Sequence, residues 1–600
     1  MSPGGDHAVP FWPTAPWHRL LVHQPPSKTV AATLAPVTWR FVPADLRAGD
    51  LASLEPLFSV LRDRDLPDAA AVEQWLRDES ELMARIGAEL ARRYIRMTCH
   101  TDDVAARDAY LAMEQQVMPR VRVLADALDR KFLAAPAMEE LDRATHGVLI
   151  RRRRTAASIF REANTLLQQE EAGLQARQQE VMGGVSVDFE GRPHTLQQLG
   201  PYYESQDRAL RERAWRAGLA ARRTTWTELE TVLDRLVELR TRMGQNAGFD
   251  TYTRFRFLEL GRFDYTEADC LAFHRAVEQC VVPAVRRLDE RRARKLGLPA
   301  LRPWDLEVDP EGRPPLRPFA TEPELVDLCT RVFRSVDSRF ADEFGVLVEH
   351  QLLDLMSRKG KAPGGYQYTL EDTRLPFVFA NSVGIHQDVQ TLLHEGGHAF
   401  HAILSRHFDL GAYRDSPIEF AETASMSMEL MGLERIESAY SQADARYAHA
   451  RHLESVLRTL PWIASIDAFQ HWLYANPRHG HEERRAAWLA IRQRFAPAVD
   501  WSGFEDAAAM QWIAQGHVFQ HAFYYVEYGI AQLAALQVWR NFRSDPQRAV
   551  GAYRRALSLG GSRTLPELFA AAEVEFDMSE RLMGPLVEAV VQRIDELQAG

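Results

Sequence analysis

The stretch TLLHEGGHAF, residues 391–400, decides the fold because it places His394 and His398 four residues apart. Residues i and i+4 lie on one face of an α-helix, so two such imidazoles can bind one metal ion. Glu395 follows the first histidine, where a carboxylate can act as a general base without being a metal ligand. This H-E-x-x-H pattern predicts a zinc-binding helix. The alternative is a solvated helix face with an ordinary His/Glu pair.

Two adjacent glycines, Gly396 and Gly397, lie inside the motif. Each weakens a helix by about 1 kcal/mol relative to alanine, so stability alone does not explain them. Apolar residues recur at a spacing of three to four on both sides, which predicts a helix that runs through the glycines. We expect them to permit close approach by a substrate or by another element.

Composition and charge exclude several classes of protein. The chain has 600 residues and a net charge of −11, which argues against nucleic-acid binding. The basic block Arg151–Arg154 is expected to be a solvated helix face. Four scattered cysteines without a C-x-x-C pattern indicate buried thiols in a reducing compartment. We find no secretory signal and no run of 18 apolar residues, so we expect a cytoplasmic protein that does not enter the membrane.

Most of the chain has helical periodicity. The first 45 or so residues are rich in Pro and Trp and are expected to be irregular. Long helical patterns follow, with clear examples over 70–97, 107–135 and 206–244, and the pattern from about residue 411 onwards is helical again. Strand patterns are few: a hairpin over 186–196, and two strands over 365–370 and 376–382 that end just before the motif. An edge strand at that place can bind an extended peptide through its backbone.

A catalytic zinc needs three protein ligands and one open position. The next acidic segment, PIEFAETASMSMELMG over 417–432, offers Glu419, Glu422 and Glu429. Glu422 shares a helix face with Ser425 and Glu429, and a metal site would explain these polar groups on an otherwise apolar helix, whereas Glu419 is expected to face solvent. Asp388 is expected to cap the motif helix.

A second polar cluster lies in GHVFQHAFYYVEYGIAQ, residues 516–532. His517, His521, Tyr524, Tyr525 and Tyr528 could donate hydrogen bonds to the oxyanion that forms during peptide hydrolysis. The alternative is a set of core aromatic residues.

Taken in order, LLHEGGHAFH, FAETASMSMELM and HVFQHAFYYVEYG resemble the oligoendopeptidase F and thimet-oligopeptidase-like metallopeptidases over roughly residues 200–600. The resemblance implies one zinc ion per chain, held by His394, His398 and Glu422, with Glu395 as general base. Glu422 and Ser425 match the family's E-x-x-S. The segment VFQHAF departs from the glycine-rich loop of the thimet-type branch.

The resemblance also implies roles for residues of the last segment. His517 and Tyr528 match residues that bind substrate and stabilise the transition state. Tyr525 matches a second tyrosine, and Tyr524 is the alternative.

The fold implied is mainly α, a two-lobed helical ellipsoid with a deep central cleft and a small sheet beside the metal helix. We expect an N-terminal helical lobe over 1–210 and a catalytic domain over 211–600. The implied function is hydrolysis of short oligopeptides by a monomer or homodimer. One alternative is a dipeptidyl carboxypeptidase or other exopeptidase on the same site, which would hold the substrate's carboxyl terminus through a cation such as Arg374. Another is a non-catalytic helical metal-binding protein.

Overall fold

The computed structural model describes residues 37–496 and 498–599, and helices make up most of this part of the chain. The helices before residue 250 are Leu51–Asp63, Ala69–Cys99, Val104–Ala112, Met118–Ala134, Arg143–Ile159, Asn164–Gly183, Gly200–Tyr203, Arg208–Arg223 and Trp226–Asn246. Those of the middle are Tyr252–Glu259, Glu267–Ala276, Val282–Lys295, Glu322–Val336, Ser338–Glu349, His386–Ser405, Gly411–Arg414, Ile418–Leu433 and Gln442–Ala475. Those of the last part are His481–Phe495, Glu505–Ala509, His517–Gln520, Val526–Ser544, Pro546–Ser558, Leu565–Ala571 and Glu580–Ala599.

The long helical predictions are confirmed, with two local differences. The helix predicted over 107–135 contains a π-helical turn, Met113–Val117, just before Pro119, which has no backbone N–H for the regular hydrogen-bond pattern. The helix predicted over 206–244 is broken at Thr224 and Thr225. Their hydroxyls donate to the carbonyls of Ala221 and Arg222 at 2.7 and 2.8 Å, which ends the first helix.

The predicted hairpin over 186–196 is present. Strand β1 (Val187–Phe189) pairs antiparallel with β2 (Arg192–His194). The two turn residues, Glu190 and Gly191, have φ values of 52° and 77°, as a tight two-residue hairpin turn requires.

The larger sheet has three strands, β3 (Leu353–Met356), β4 (Tyr366–Leu370) and β5 (Leu375–Ser382), in the order β3-β5-β4. The antiparallel β4–β5 pair, in which Tyr368 faces Phe377, confirms the two predicted strands. Strand β3 runs parallel to β5 and was not predicted, because four residues are too few to show alternation. Strand β4 lies at an edge of the sheet.

Strand β5 leads directly into the helix His386–Ser405, here called the motif helix. Asp388 caps it as predicted, because Oδ2 accepts hydrogen bonds from the backbone N–H groups of Val383, Gly384 and Ile385 at 2.8, 2.9 and 2.9 Å. The helix continues through Gly396 and Gly397 to Ser405. It packs between the sheet and the helix Ile418–Leu433, here called the acidic helix.

Two large hydrophobic cores are present among the described residues. One lies among the helices before residue 151 and is joined by Leu410 and Tyr413. The other contains the motif helix, the acidic helix and Val526–Ser544. The mainly α fold class with small sheets is thus confirmed, while the central cleft and the division at residue 210 stay predictions.

Two further expectations concern the chain outside these cores. Among the described helices, none is both long enough and apolar enough to span a lipid bilayer. The predicted irregular segment over the first 45 residues lies mostly outside the described residues.

Candidate active site

The motif helix and the acidic helix bring His394, His398 and Glu422 together. One donor atom from each lies within 4.8 Å of the other two. Glu422 Oε2 is 3.5 Å from His394 Nε2 and 3.7 Å from His398 Nε2. Ligand bonds of about 2.0–2.2 Å in a tetrahedral zinc site would separate the donor atoms by about 3.4 Å. The two measured separations are close to this value, so the donor set fits a single zinc ion.

The two glycines of the motif explain how the two helices come this close. A Cβ atom at Gly397 would lie 2.6 Å from Ser425 Cα and 2.7 Å from the Ala424 carbonyl oxygen, both on the acidic helix. A Cβ atom at Gly396 would lie 2.6 Å from the ring of Phe333. The glycines are thus needed for contact between elements of the fold.

Two side chains of the acidic helix orient the predicted ligands. Glu429 Oε1 lies 2.7 Å from His394 Nδ1, so the imidazole donates from Nδ1 and leaves Nε2 to face Glu422. Ser425 Oγ donates to Glu422 Oε2 at 3.0 Å. Burial acts to raise the pKa of Glu429, but the hydrogen bond and charge of His394 hold that pKa below its usual value.

His452 completes this network and has no signal in the sequence. Its Nε2 lies 3.6 Å from Glu429 Oε2, and its Nδ1 accepts from Gln390 Nε2 at 3.0 Å. It lies on the long helix Gln442–Ala475, 58 residues from His394, and no local pattern connects the two.

Glu395 lies beside the three donors and is only 7% exposed. Its Oε2 makes no hydrogen bond with any described residue. Burial raises the pKa of Glu395 to about 7, against the opposing effect of His394. A Cβ atom at Gly365 would lie 3.8 Å from Glu395 Oε1, so the start of β4 passes next to this carboxylate.

The predicted cluster near the C-terminus is also assembled. The ring of His517 is 5.7, 5.0 and 5.9 Å from those of Tyr524, Tyr525 and Tyr528. Burial raises the pKa of both Tyr524 and Tyr528, and the charge of Glu422 adds to the rise, so these two tyrosines lie in the field of the predicted ligand. Burial also raises the pKa of Tyr525 to about 12.

The hydrogen bonds of His517 define which nitrogen carries its proton. Gln515 Oε1 accepts from Trp462 Nε1 at 2.8 Å, which orients the amide so that Nε2 donates to His517 Nδ1 at 2.6 Å. Burial lowers the pKa of His517 to about 4, so the ring is neutral at pH 7. The proton is therefore on Nε2, which is a hydrogen-bond donor.

One expectation is wrong. Glu419, expected to face solvent, is 4% exposed and accepts a hydrogen bond of 2.7 Å from the Tyr265 hydroxyl. Tyr265 lies 154 residues away and provides the partner that a buried carboxylate needs.

Arg374, named in the exopeptidase alternative, is engaged elsewhere. Its Nη1 donates to the Arg406 carbonyl oxygen at 2.9 Å, and its Nη2 lies 3.5 Å from Asp409 Oδ1.

A helical fold with an H-E-x-x-H helix between a small sheet and a helix carrying the predicted third ligand has the features of the metallopeptidase class. The sequence model of peptidase family M3 matches residues 202–584, more than half of the chain. The chain belongs to this family.

Individual relatives agree with this assignment. The chromosomal oligoendopeptidase F of Lactococcus lactis subsp. cremoris is 30% identical over 287 residues, 46% of this chain and 46% of that protein. An oligoendopeptidase F homolog of Lactococcus lactis subsp. lactis (strain IL1403) is 23% identical over 331 residues, 53% of this chain and 52% of that protein. Each match thus spans about half the length of the curated relative.

The fold has counterparts among solved structures. The structure of PZ peptidase A with an inhibitor has a TM-score of 0.84 and 27% identity to this chain, and the match covers 93% of this chain and 99% of that one.

Proposed function

We propose that this member of peptidase family M3 is a zinc endopeptidase that hydrolyses short oligopeptides. The observation that carries the proposal is the convergence of His394, His398 and Glu422, whose donor atoms lie within 4.8 Å of one another. Glu395 lies beside them with a carboxylate oxygen that has no partner among the described residues.

His394 Nε2, His398 Nε2 and a carboxylate oxygen of Glu422 would hold the zinc ion and leave one position open. Zinc there would polarise the scissile carbonyl and lower the pKa of a water molecule towards about 7. Glu429 and Ser425 support this arrangement because they orient His394 and Glu422.

Glu395 acts as the general base in this proposal. Its carboxylate takes a proton from the attacking water and passes it to the leaving amine of the peptide. The unpartnered Oε2 and the position of Glu395 between the ligands and β4 support this role.

His517 and Tyr528 donate hydrogen bonds to the oxyanion, each contribution being about 2.7–4 kcal/mol in comparable enzymes. The neutral His517 ring with its proton on Nε2 supports that role. Tyr525 stays in the proposal as a third donor, since its ring lies 5.5 Å from that of Tyr528. Tyr524, whose ring lies 5.6 Å from that of Tyr528 and whose pKa is raised further by the charge of Glu422, is the stronger candidate for assisting Tyr528.

The edge strand β4 provides a place for the substrate. An extended peptide paired with its free backbone edge would lie next to Glu395, because β4 begins beside that side chain. The name oligoendopeptidase F, borne by both curated relatives, supports short peptides cleaved internally.

The test is hydrolysis of a library of quenched peptides of about 6–15 residues with and without a chelator, read by mass spectrometry. We expect internal cleavage that the chelator abolishes and zinc restores. Glu395→Gln should keep its zinc and lose activity, while Glu437→Gln, at an exposed position outside the site, should remain active. Full activity of Glu395→Gln would overturn the mechanism, and chelator-resistant cleavage would overturn the role of zinc.

An exopeptidase is the second candidate, and no contact among the described residues favours it, since Arg374 is bound to Arg406 and Asp409. Comparing peptides with free and amidated carboxyl termini separates the two, because an endopeptidase cleaves both equally. A non-catalytic metal-binding protein would hydrolyse neither. A cytoplasmic location and a monomeric or dimeric state stay predictions.

A further inference from the structure

A second group of metal-binding side chains lies between two helices away from the motif helix. Cys270 and His274 are four residues apart on Glu267–Ala276, and Asp467 and His471 are four residues apart on Gln442–Ala475. Each pair therefore shares one helix face, and the two faces meet. Donor atoms of Cys270, Asp467 and His471 all lie within 4.8 Å of one another.

The carboxylate of Asp467 is the centre of this group. Its Oδ2 lies 2.8 Å from His274 Nε2 and 3.4 Å from His471 Nε2. The separation of 3.4 Å equals what two ligands of one zinc ion require, about 3.4 Å, whereas 2.8 Å is a hydrogen bond. His274 thus orients the carboxylate, and His471 approaches it at the distance of a fellow ligand.

Two atoms of the group are buried without a hydrogen bond among the described residues: Asp467 Oδ1 and His471 Nε2. Asp467 is completely buried. Such unsatisfied polar atoms are rare in proteins and are costly unless a water molecule or an ion is bound. Both atoms belong to residues whose donors converge with the Cys270 sulfur.

The surroundings resemble a closed structural site. The ring of His471 lies 6.3 Å from that of Phe257 and 5.0 Å from that of Phe523, and the ring of His274 lies 6.2 Å from that of Phe495. A buried carboxylate requires a compensating positive charge, which a bound metal ion or a protonated His471 supplies.

We propose that Cys270, Asp467 and His471 bind a second divalent metal ion, with His274 holding the Asp467 carboxylate in place. Thiolate, imidazole and carboxylate are all ligands of zinc, and a sulfur ligand disfavours magnesium and calcium. The fourth tetrahedral position falls to the second carboxylate oxygen or to a water molecule. Binding requires Cys270 to release its thiol proton to solvent.

The position of this site indicates what the metal does. Phe523, which packs on His471, directly precedes Tyr524 and has a φ of 64°. Its backbone N–H donates to Gln470 Oε1, next to His471, and its carbonyl oxygen accepts from Arg262. A metal that joins the two helices would thus fix the support beneath the segment carrying Tyr524 and Tyr528.

Cobalt substitution tests the proposal, because the predicted catalytic ligands are nitrogen and oxygen and only a cysteine gives thiolate-to-cobalt charge-transfer absorption. The protein is produced in cobalt-supplemented medium, which loads a buried site during folding. We expect two metal equivalents per chain by elemental analysis, together with the charge-transfer band. Cys270→Ser should lose the band and one equivalent, whereas Cys329→Ser, an equally buried cysteine, should lose neither.

The catalytic site is controlled separately. The double variant His394→Ala and His398→Ala should lose one equivalent and keep the band, which distinguishes this site from the site of the proposed function. If Cys270→Ser does not fold, X-ray absorption of the unmodified zinc protein decides, since a Zn–S distance of about 2.3 Å reports the sulfur ligand.

Two results would overturn the proposal: a single metal equivalent with no sulfur ligand in the unmodified protein, or a charge-transfer band that Cys270→Ser leaves unchanged. Either would mean that the group is a hydrogen-bonded Asp–His pair with a protonated His471.

Discussion

The contact between Gly397 and the acidic helix sets the distance between the two histidines and Glu422. We predict that Gly397→Ala disrupts the metal site although it adds a single methyl group. The new Cβ atom would lie 2.6 Å from Ser425 Cα. The positions of both atoms are fixed by the helix backbones, so no change of rotamer can move them apart. An ordinary carbon–carbon contact is about 3.5–4.0 Å, so the helices would have to separate by about 1 Å.

That separation acts directly on the ligands. Glu422 Oε2 is already 3.5 and 3.7 Å from the two Nε2 atoms, and a further 1 Å would take it beyond the spacing that one zinc ion spans. It would also strain the Ala424 carbonyl, which accepts a hydrogen bond of 2.7 Å from Tyr553. Overpacking of this kind costs about 1–3 kcal/mol, and a displacement of about 1 Å in an active site costs about 100-fold in rate.

The assay compares kcat/KM on a quenched peptide and zinc affinity by chelator competition, with circular dichroism to confirm folding. We expect Gly397→Ala to remain folded, to bind zinc more weakly and to lose about 100-fold in kcat/KM. Gly345→Ala is the matched control, because that helical glycine has nothing within 4 Å of its added Cβ atom. The reasoning is refuted if Gly397→Ala retains the zinc affinity and activity of the unmodified protein.

Three further predictions follow from the site. Glu429→Gln should weaken zinc binding by about 10–100-fold through the lost orientation of its imidazole partner, and an unchanged dissociation constant would contradict this. Tyr528→Phe should lower kcat by about 100–1,000-fold with little change in KM. Tyr524→Phe should lower kcat more than Tyr525→Phe does, and a larger loss in Tyr525→Phe would argue for Tyr525 instead. Burial lowers the pKa of His386 to about 3, so the unfolded chain binds more protons than the folded one between about pH 3 and 6.5. The stability that the neutral His386 contributes is therefore fully present above about pH 6.5 and is lost as the pH falls below that value. His386→Gln should reduce the loss in the free energy of unfolding between pH 7 and pH 5 by about 1–2 kcal/mol, measured by urea unfolding. An identical loss in both proteins would contradict the direction of the pKa shift.

The parts of the site that local sequence determines were predictable. The motif helix, its cap at Asp388 and the shared face of Glu422 and Glu429 follow from spacings of three to seven residues. Strands β4 and β5 were visible from alternation, whereas β3 was too short to show it. The break at Thr224 depends on which of two competing hydrogen bonds the hydroxyl makes, and periodicity does not report that choice.

What the sequence could not provide is the identity of distant partners. Glu419 was assigned to the surface because its partner, Tyr265, lies 154 residues away. The same limit hid the group around Asp467, since each i, i+4 pair is visible alone but nothing in the sequence shows that the two helices meet.

The two sides of the proposed active site differ in how far apart in the sequence their interacting residues lie. The metal side consists of two adjacent helices in contact at Gly397, so the predicted ligands and the two residues that orient them directly, Ser425 and Glu429, lie within 40 residues of one another. The substrate side is held at Phe523, whose positive φ is costly for a non-glycine residue and persists only because distant residues fix it. Arg262 and Gln470 bind its two backbone groups, and they come from parts of the chain 261 and 53 residues away. The proposed zinc ligands were therefore predictable from a motif, while the preference for Tyr524 over Tyr525 rests on the structure, because it depends on how this one turn is held.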